Sequence, residues 1–130
     1  MGALIQGLIG FALTQSAGEE IFFVTVAKLM GLGSASFVGG WVLHIITGLI
    51  IGAIFVLITA LVGAFRLTGI GKAVGVGIVA GIVVWTVWFV PLISVMISGS
   101  LSRGDLLIGA LILHILYGTV TAAIARMLIR

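Results

Sequence analysis

Charge, cysteine and proline are all scarce in this sequence, and each shortage excludes a class of protein or site. Only 7% of the 130 residues are charged and 62% are hydrophobic, whereas a soluble domain of this length needs far more charge to cover its surface. Without cysteine, the chain can form no disulfide bond, no thiolate metal site and no covalent haem attachment. The single proline, Pro91, predicts one helix kink.

Long uncharged runs indicate an integral membrane protein. Residues 37–65, 73–102 and 106–125 contain no charged side chain, and each run reaches the ~20 residues that a helix needs to cross a bilayer. With the apolar N-terminal stretch they predict an all-α four-helix bundle that forms one transmembrane domain over residues 1–130. Short connections favour antiparallel neighbours. The predicted helices cover residues 4–30, 37–65, 73–97 and 105–128.

The basic residues near the helix ends predict the orientation. Lys28 and Arg103 fall on one side of the predicted bundle, and four basic residues fall on the other. Basic residues are enriched on the cytoplasmic side of membrane proteins, so we expect a multi-pass protein of the cell membrane with both termini in the cytoplasm. The net charge of +3 comes from these helix ends and gives no indication of nucleic-acid binding. The four cytoplasmic basic residues are Arg66, Lys72, Arg126 and Arg130.

The second and fourth predicted helices share a repeated segment. A shift of 70 residues aligns GGWVLHIITGLIIGAI (39–54) with GALILHILYGTVTAAI (109–124), and seven of the sixteen aligned positions are identical, the two histidines of the chain among them. We therefore expect two helical hairpins, residues 1–65 and 71–130, in the same orientation. Their symmetry axis would lie along the membrane normal, as in the parallel repeats of some transporters.

Three short motifs give the chain a resemblance to a known family. They are HIITGLIIGAIF in the second helix, WTVWFVPL late in the third and HILYG in the fourth. In these motifs the sequence resembles an uncharacterised family of small four-helix integral membrane proteins of archaea and bacteria. The resemblance spans most of the chain and implies the four-helix fold, but it brings no function with it.

Each histidine lies in a stripe of small residues. His44 and His114 both have glycine or alanine four residues before them and four and eight residues after them, so each stripe follows one helix face. Small residues at this spacing let two helix backbones approach closely, which predicts that both imidazoles face a shared centre rather than lipid. The predicted packing glycines are Gly40, Gly48 and Gly52 in the second helix, Gly77 and Gly81 in the third, and Gly118 in the fourth.

Glu19 and Glu20 lie well inside the first predicted helix. A carboxylate at the centre of a membrane helix costs ~2.5–3.5 kcal/mol on insertion scales, so it needs a partner or a function. At ~1.5 Å of rise per residue, Glu19 or Glu20 reaches the depth of His44, Trp88 and His114, and we expect one polar layer there. The polar residues that extend this layer one turn earlier are Thr14, Gln15 and Ser16.

Four interpretations of this layer stay open. The first is structural: a hydrogen-bonded network with one glutamate protonated, or glutamates that meet a basic partner from another subunit. The second is haem b with His44 and His114 as its axial ligands. The third is a transition-metal site of His44, His114 and Glu20, which suits Zn, Cu or Fe. The fourth is a small proton-coupled transporter, since small four-helix exporters also carry a membrane glutamate in helix one and a tryptophan in helix three.

The leading functional hypothesis is an accessory or structural subunit of a larger membrane complex of the respiratory or oxidase type. A chain of 130 residues made of membrane helices leaves little mass for a soluble catalytic domain. No Ser–His–acid or Cys–His arrangement is indicated, so we do not expect an enzyme. The expected partners are the lipid bilayer and either other membrane subunits or further copies of the chain.

Overall fold

Helices form nearly all of the structure. A computed structural model describes residues 1–128, and this part of the chain contains helices and turns but no strand. The prediction of an all-helical fold is confirmed. The helices are α1 (Gly2–Ser16), α2 (Phe22–Leu29), α3 (Ser36–Leu61), α4 (Ile70–Val84), α5 (Val90–Met96) and α6 (Gly104–Leu128), with a π-helical turn at Trp85–Phe89 between α4 and α5.

The first predicted helix is interrupted. The prediction of one helix over residues 4–30 is wrong, because α1 ends at Ser16 and α2 begins only at Phe22. The other helices lie close to their predicted positions. Among them α3 and α6 are each continuous, and α4, the π turn and α5 form one helical stretch over Ile70–Met96.

A glycine-based helix end explains the interruption. Gly18 takes the left-handed conformation, with φ of 69°, which is strained for any residue with a Cβ. The Gly18 N–H donates to the Gln15 carbonyl at 3.1 Å, and the Glu19 N–H donates to the Thr14 carbonyl at 2.8 Å. This pair of bonds is a common way to end a helix at glycine, and it leaves both glutamates outside α1.

The first helical stretch of the second hairpin, Ile70–Met96, is also irregular. The chain is π-helical at Trp85–Phe89 and returns to α-helix at Val90. Pro91 has no N–H to contribute to the helical ladder and crowds the preceding turn, which accounts for the change in winding. Shifted by 70 residues, the π turn and Pro91 correspond to residues 15–21, where α1 and α2 separate.

The N-terminal helix α1 lies between α3 and α6 and runs antiparallel to both. Along α3, Ala3 packs against Gly48, whereas Phe11 lies beside Phe37 near the start of α3. It follows that α3 and α6 run in the same direction, while α2 packs on α3 and α4 packs along α6. The contacts that define the antiparallel order along α6 are Gly2 with Thr121 and Gly10 with Leu113.

Glycines bring the backbones of α4 and α6 together. Gly77 faces the backbone of Gly118, and Gly81 faces the backbone of His114. A Cβ atom at Gly77 would lie 2.7 Å from the Gly118 carbonyl oxygen, so this approach requires glycine. The close contact is the kind that small residues permit between membrane helices.

The glycine stripe of α3 serves two different contacts. Gly40 faces α2, where a Cβ atom would lie 2.7 Å from the Phe23 carbonyl oxygen. Gly48 faces α1. Gly52 is in looser surroundings, because a Cβ atom there would lie 3.5 Å from the Tyr117 hydroxyl, an ordinary contact distance. Gly40 and Gly48 therefore give α3 its close contacts with the two N-terminal helices, whereas Gly52 meets side chains of α6 at ordinary contact distance.

Among residues 1–128, three helical stretches are long and apolar enough to cross a membrane: Gly33–Leu61, Ile70–Met96 and Gly104–Leu128. The 15 residues of α1 extend about 22 Å at 1.5 Å per residue, which is shorter than the ~30 Å hydrocarbon core of a bilayer. A fourth crossing would need α1, the interruption and α2 together. The four-span topology and the cytoplasmic termini therefore stay predictions.

We expect Gly77→Ala to destabilise the contact between α4 and α6. The added methyl group would meet backbone atoms at 2.7 Å, and overpacking of this kind costs about 1–3 kcal/mol. Gly75→Ala is the matched control, because nothing lies within 4 Å of a Cβ atom there. Thermal unfolding in detergent, followed by circular dichroism, should show a lower midpoint for Gly77→Ala alone. Equal midpoints for the two variants would contradict the close packing.

Candidate functional site

A cavity of about 670 Å³ lies between the two hairpins. Its walls come from α1, the interruption that follows it, α2, α3, the end of α4, the π turn, α5, the segment after α5, and α6. Both histidines line it, His44 from α3 and His114 from α6. The two residues lie about 12 Å and about 15 Å along their helices from the N-terminal ends, at 1.5 Å per residue, so their rings approach similar depths.

His44 joins α3 to the first turn of α1. Its Nε2–H donates a hydrogen bond of 2.9 Å to the Ala3 carbonyl, and its ring stacks on Phe23 of α2 at a centroid distance of 4.6 Å. Gly7 leaves room for the ring, because a Cβ atom there would lie 3.0 Å from Nε2. A carbonyl only accepts, so Nε2 carries a hydrogen. In the neutral ring Nδ1 then keeps its lone pair, and Nδ1 has no hydrogen-bond partner within residues 1–128.

His114 is held by its own helix. Its Nδ1–H donates a hydrogen bond of 2.7 Å to the Ala110 carbonyl one turn earlier, and Phe89 of the π turn contacts the ring at a centroid distance of 5.1 Å. In the neutral ring of His114, Nε2 keeps the lone pair. The two histidines are equivalent in the repeat alignment, yet they leave different ring nitrogens available to a ligand.

Tyr117, which is not among the predicted site residues, bridges the two hairpins. Its hydroxyl donates a hydrogen bond of 2.8 Å from α6 to the Gly48 carbonyl of α3, and its side chain is 6% exposed and lines the cavity. The helices α3 and α6 make few other direct contacts. Two signals in the sequence were available: Tyr117 is the only tyrosine, and it follows His114 by one turn.

Charged side chains gather at the cavity wall beside the start of α6. The Arg103 guanidinium donates hydrogen bonds to the carboxylates of Glu19 at 2.9 Å and Asp105 at 3.0 Å. These bonds raise the pKa of Arg103, with the larger contribution from Asp105. All three side chains line the cavity and are exposed, so this group of charges lies at its opening.

Glu20 forms a separate ion pair with α2. Its carboxylate accepts hydrogen bonds from Lys28 Nζ at 2.5 Å and from the Thr25 hydroxyl at 3.2 Å. The hydrogen bond from Lys28 lowers the pKa of Glu20. Glu20 and Lys28 therefore form an exposed ion pair.

The residues of the predicted layer all line this cavity, but among the described residues no hydrogen bond joins a glutamate to a histidine. The interruption after α1 takes Glu19 and Glu20 out of the helix, and each meets a basic side chain of the same chain rather than a histidine. Gln15, predicted to extend the layer, is exposed. Trp88 lines the cavity with 53% of its surface exposed.

The predicted metal site is not assembled either. Within the part of the chain that the structure describes, no group of three histidine, aspartate or glutamate side chains could hold a metal ion. In the predicted set of His44, His114 and Glu20, the Glu20 carboxylate binds Lys28 and Thr25 instead.

Haem b between the two histidines fits only in part. A carbonyl bond to the opposite ring nitrogen, as in His44 and His114, is typical of metal-ligating histidines. The two propionates would need cationic partners, however. Among the described residues, Arg103 is the one basic side chain on the cavity wall, and Glu19 and Asp105 already engage it.

Comparisons with known proteins give no match: no family model, no curated protein and no solved structure corresponds to this chain. The resemblance to small four-helix membrane proteins thus rests on its three sequence motifs.

We expect protein purified from its membrane to show no Soret band, because the part of the cavity wall formed by residues 1–128 offers the haem propionates no cation that is free of an ion pair. The measurement is an absorption spectrum of the oxidised and the dithionite-reduced protein, with elemental analysis for bound metals. A Soret band that shifts on reduction and is lost in both His44→Ala and His114→Ala would contradict this expectation and establish the bis-histidine site instead.

Proposed function

We propose that this chain is a small multi-pass transport protein of the cell membrane and that the cavity between its hairpins is the ligand site. The observation that carries the proposal is the cavity itself, about 670 Å³ of space lined by both halves, with His44 and His114 on its wall. This volume is in the range of small-molecule sites. Protein interiors are normally close-packed, so a subunit that serves only for packing has no use for such a space.

The irregular segments border the cavity. Phe22 and Phe23, after the first interruption, and Trp88 and Phe89, in the π turn, all line it. In many secondary transporters, ligands bind where membrane helices are interrupted at corresponding positions in two repeats. Irregular backbone at membrane depth also requires protein or water around it, because lipid cannot satisfy its polar groups. The location of both segments supports transport over a purely structural role.

The histidines offer a way to couple a ligand to protons. Imidazole changes its charge near neutral pH, and ionisable residues inside membrane proteins mark ion and proton pathways. His44 and His114 each retain a ring nitrogen with a lone pair, so each can take up a proton. The activity that we propose is proton-coupled movement of a ligand without a catalytic step.

Cysteine labelling tests whether the cavity is open to water. The natural chain has no cysteine, so single variants can be compared directly. Leu43 and Leu113 line the cavity at equivalent positions of the repeat, whereas their neighbours Val42 and Ile112 are 48% and 61% exposed on the outer surface.

We expect Leu43→Cys and Leu113→Cys to react with a water-soluble maleimide in native membranes, and Val42→Cys and Ile112→Cys to stay unlabelled in lipid. Thiols react as thiolates, which form in water and not in hydrocarbon. If the two cavity variants react no faster than their matched neighbours, the cavity is closed to water and the transport proposal fails.

A second candidate function is the accessory subunit of a larger membrane complex. The observation that favours it is the surface of α3: only 6% of the most apolar part of Gly33–Leu61 is buried within the chain, against 22% for the other two membrane-length stretches. A helix that is apolar and unburied must face lipid or another protein. Oligomerisation or a partner subunit would cover it.

For the accessory-subunit function, the size of the particle in mild detergent is decisive. An accessory subunit should migrate in a particle much larger than 13.4 kDa that contains other polypeptides, because the exposed face of α3 would be occupied. Size-exclusion chromatography with light scattering and mass spectrometry of the peak measure this directly. A particle that holds copies of this chain alone would contradict the accessory role.

A further inference from the structure

The lining of the cavity favours one class of ligand. We propose that the cavity binds a hydrophobic organic cation, of the quaternary ammonium or phosphonium type. This inference rests on the proposed function, because it requires a cavity that is open to a ligand. Two properties of the wall support it: an aromatic surface and an excess of negative charge.

Aromatic side chains from three parts of the fold surround the space. Their ring faces attract cations, and their apolar surface favours a ligand with hydrophobic substituents over a small hydrated ion. Trp88 is 53% exposed, so much of its ring is accessible to a ligand. The five aromatic residues on the wall are Phe22, Phe23, Trp88, Phe89 and Tyr117.

The acidic residues of the chain all meet at this cavity. The sequence has three of them, Glu19, Glu20 and Asp105, and each lines the cavity, whereas Arg103 is the one basic residue on its wall within residues 1–128. Three negative charges against one positive charge leave −2 on the lining, and the pairing of Lys28 with Glu20 reduces this to −1. The whole chain carries +3, so the sign of the cavity is opposite to that of the protein.

The arrangement of the ion pairs leaves a place for a second cation. Arg103 is shared between Glu19 at 2.9 Å and Asp105 at 3.0 Å, so one positive charge serves two carboxylates. A cationic ligand that enters beside Arg103 would supply the missing charge. An anion would meet repulsion from the uncompensated carboxylate and find its one cationic partner already bonded.

Two probes of the same shape and opposite charge test this. Tetraphenylphosphonium and tetraphenylborate can be compared by equilibrium dialysis against the purified protein in nanodiscs of zwitterionic lipid, with empty nanodiscs subtracted for partition into lipid. We expect saturable binding of the phosphonium, with a Kd at least about tenfold below that of the borate, because the opposite charges favour one and disfavour the other.

Variants of the shared ion pair give a test of sign. Glu19→Gln removes a negative charge and should weaken phosphonium binding about fivefold, whereas Arg103→Gln frees both carboxylates and should strengthen it by a similar factor. Both variants break the same contact, so a loss of folding would affect them alike and could not produce opposite shifts. Arg66→Gln is the charge control, because Arg66 lies outside the cavity wall and its loss should leave the Kd unchanged.

The outcomes separate this inference from the proposed function. Opposite shifts for Glu19→Gln and Arg103→Gln, with phosphonium preferred, support the cation site. Equal or tighter binding of the borate, no saturable binding of either probe, or shifts in the same direction would overturn it. If Leu43→Cys and Leu113→Cys still react with maleimide in that case, the open cavity stands and only the ligand class is wrong.

Discussion

Most polar groups that leave water here find partners inside the chain, with the buried Trp85 Nε1 as an exception among the described residues, and the rest of this structure depends on that pairing. Hydroxyls within the helices bond back to carbonyls of the preceding turn, as in Thr14 to Gly10 at 3.0 Å and Thr119 to Ile115 at 2.8 Å. Both imidazoles likewise donate hydrogen bonds to backbone carbonyls. Carboxylates have no hydrogen to donate to a carbonyl, so they cannot be satisfied in this way. The glutamates accordingly lie where the helix stops, next to basic side chains.

How much the sequence predicts can be judged at particular residues. Charge-free runs locate α3 and α6 well, because hydropathy over 20 residues decides whether a helix can cross a bilayer. The same averaging hides the interruption after α1, although its signal is visible: Gly18 followed by Glu19 and Glu20 inside an apolar run. A glycine that ends a helix and two carboxylates that need water act together there. Either one alone is compatible with a continuous helix.

The candidate site was less predictable, because it depends on contacts between segments far apart in the sequence. The small-residue stripes indicate that His44 and His114 face inward, and the structure places both on one cavity. The stripes cannot indicate which ring nitrogen of His44 donates a hydrogen bond, since that depends on where the Ala3 carbonyl of α1 lies. The bridge from Tyr117 to Gly48 joins positions 69 residues apart, and no local pattern encodes it. The size of the cavity likewise depends on the distance between hairpins.

The distribution of small residues explains why the distance between the two hairpins stays large. Gly40 is used between α2 and α3, and Gly77 and Gly81 are used between α4 and α6, so these glycines close contacts within one hairpin, whereas Gly2 of α1 packs across on α6. Where α3 faces α6, the contact is made by a long side chain, Tyr117, reaching the backbone of Gly48. The N-terminal helix α1 fills one side of the gap between the hairpins. The opposite side is bordered by the π turn and the residues after the first interruption, whose irregular backbones cannot pack as closely as two regular helices. The cavity therefore follows from tight packing within each hairpin.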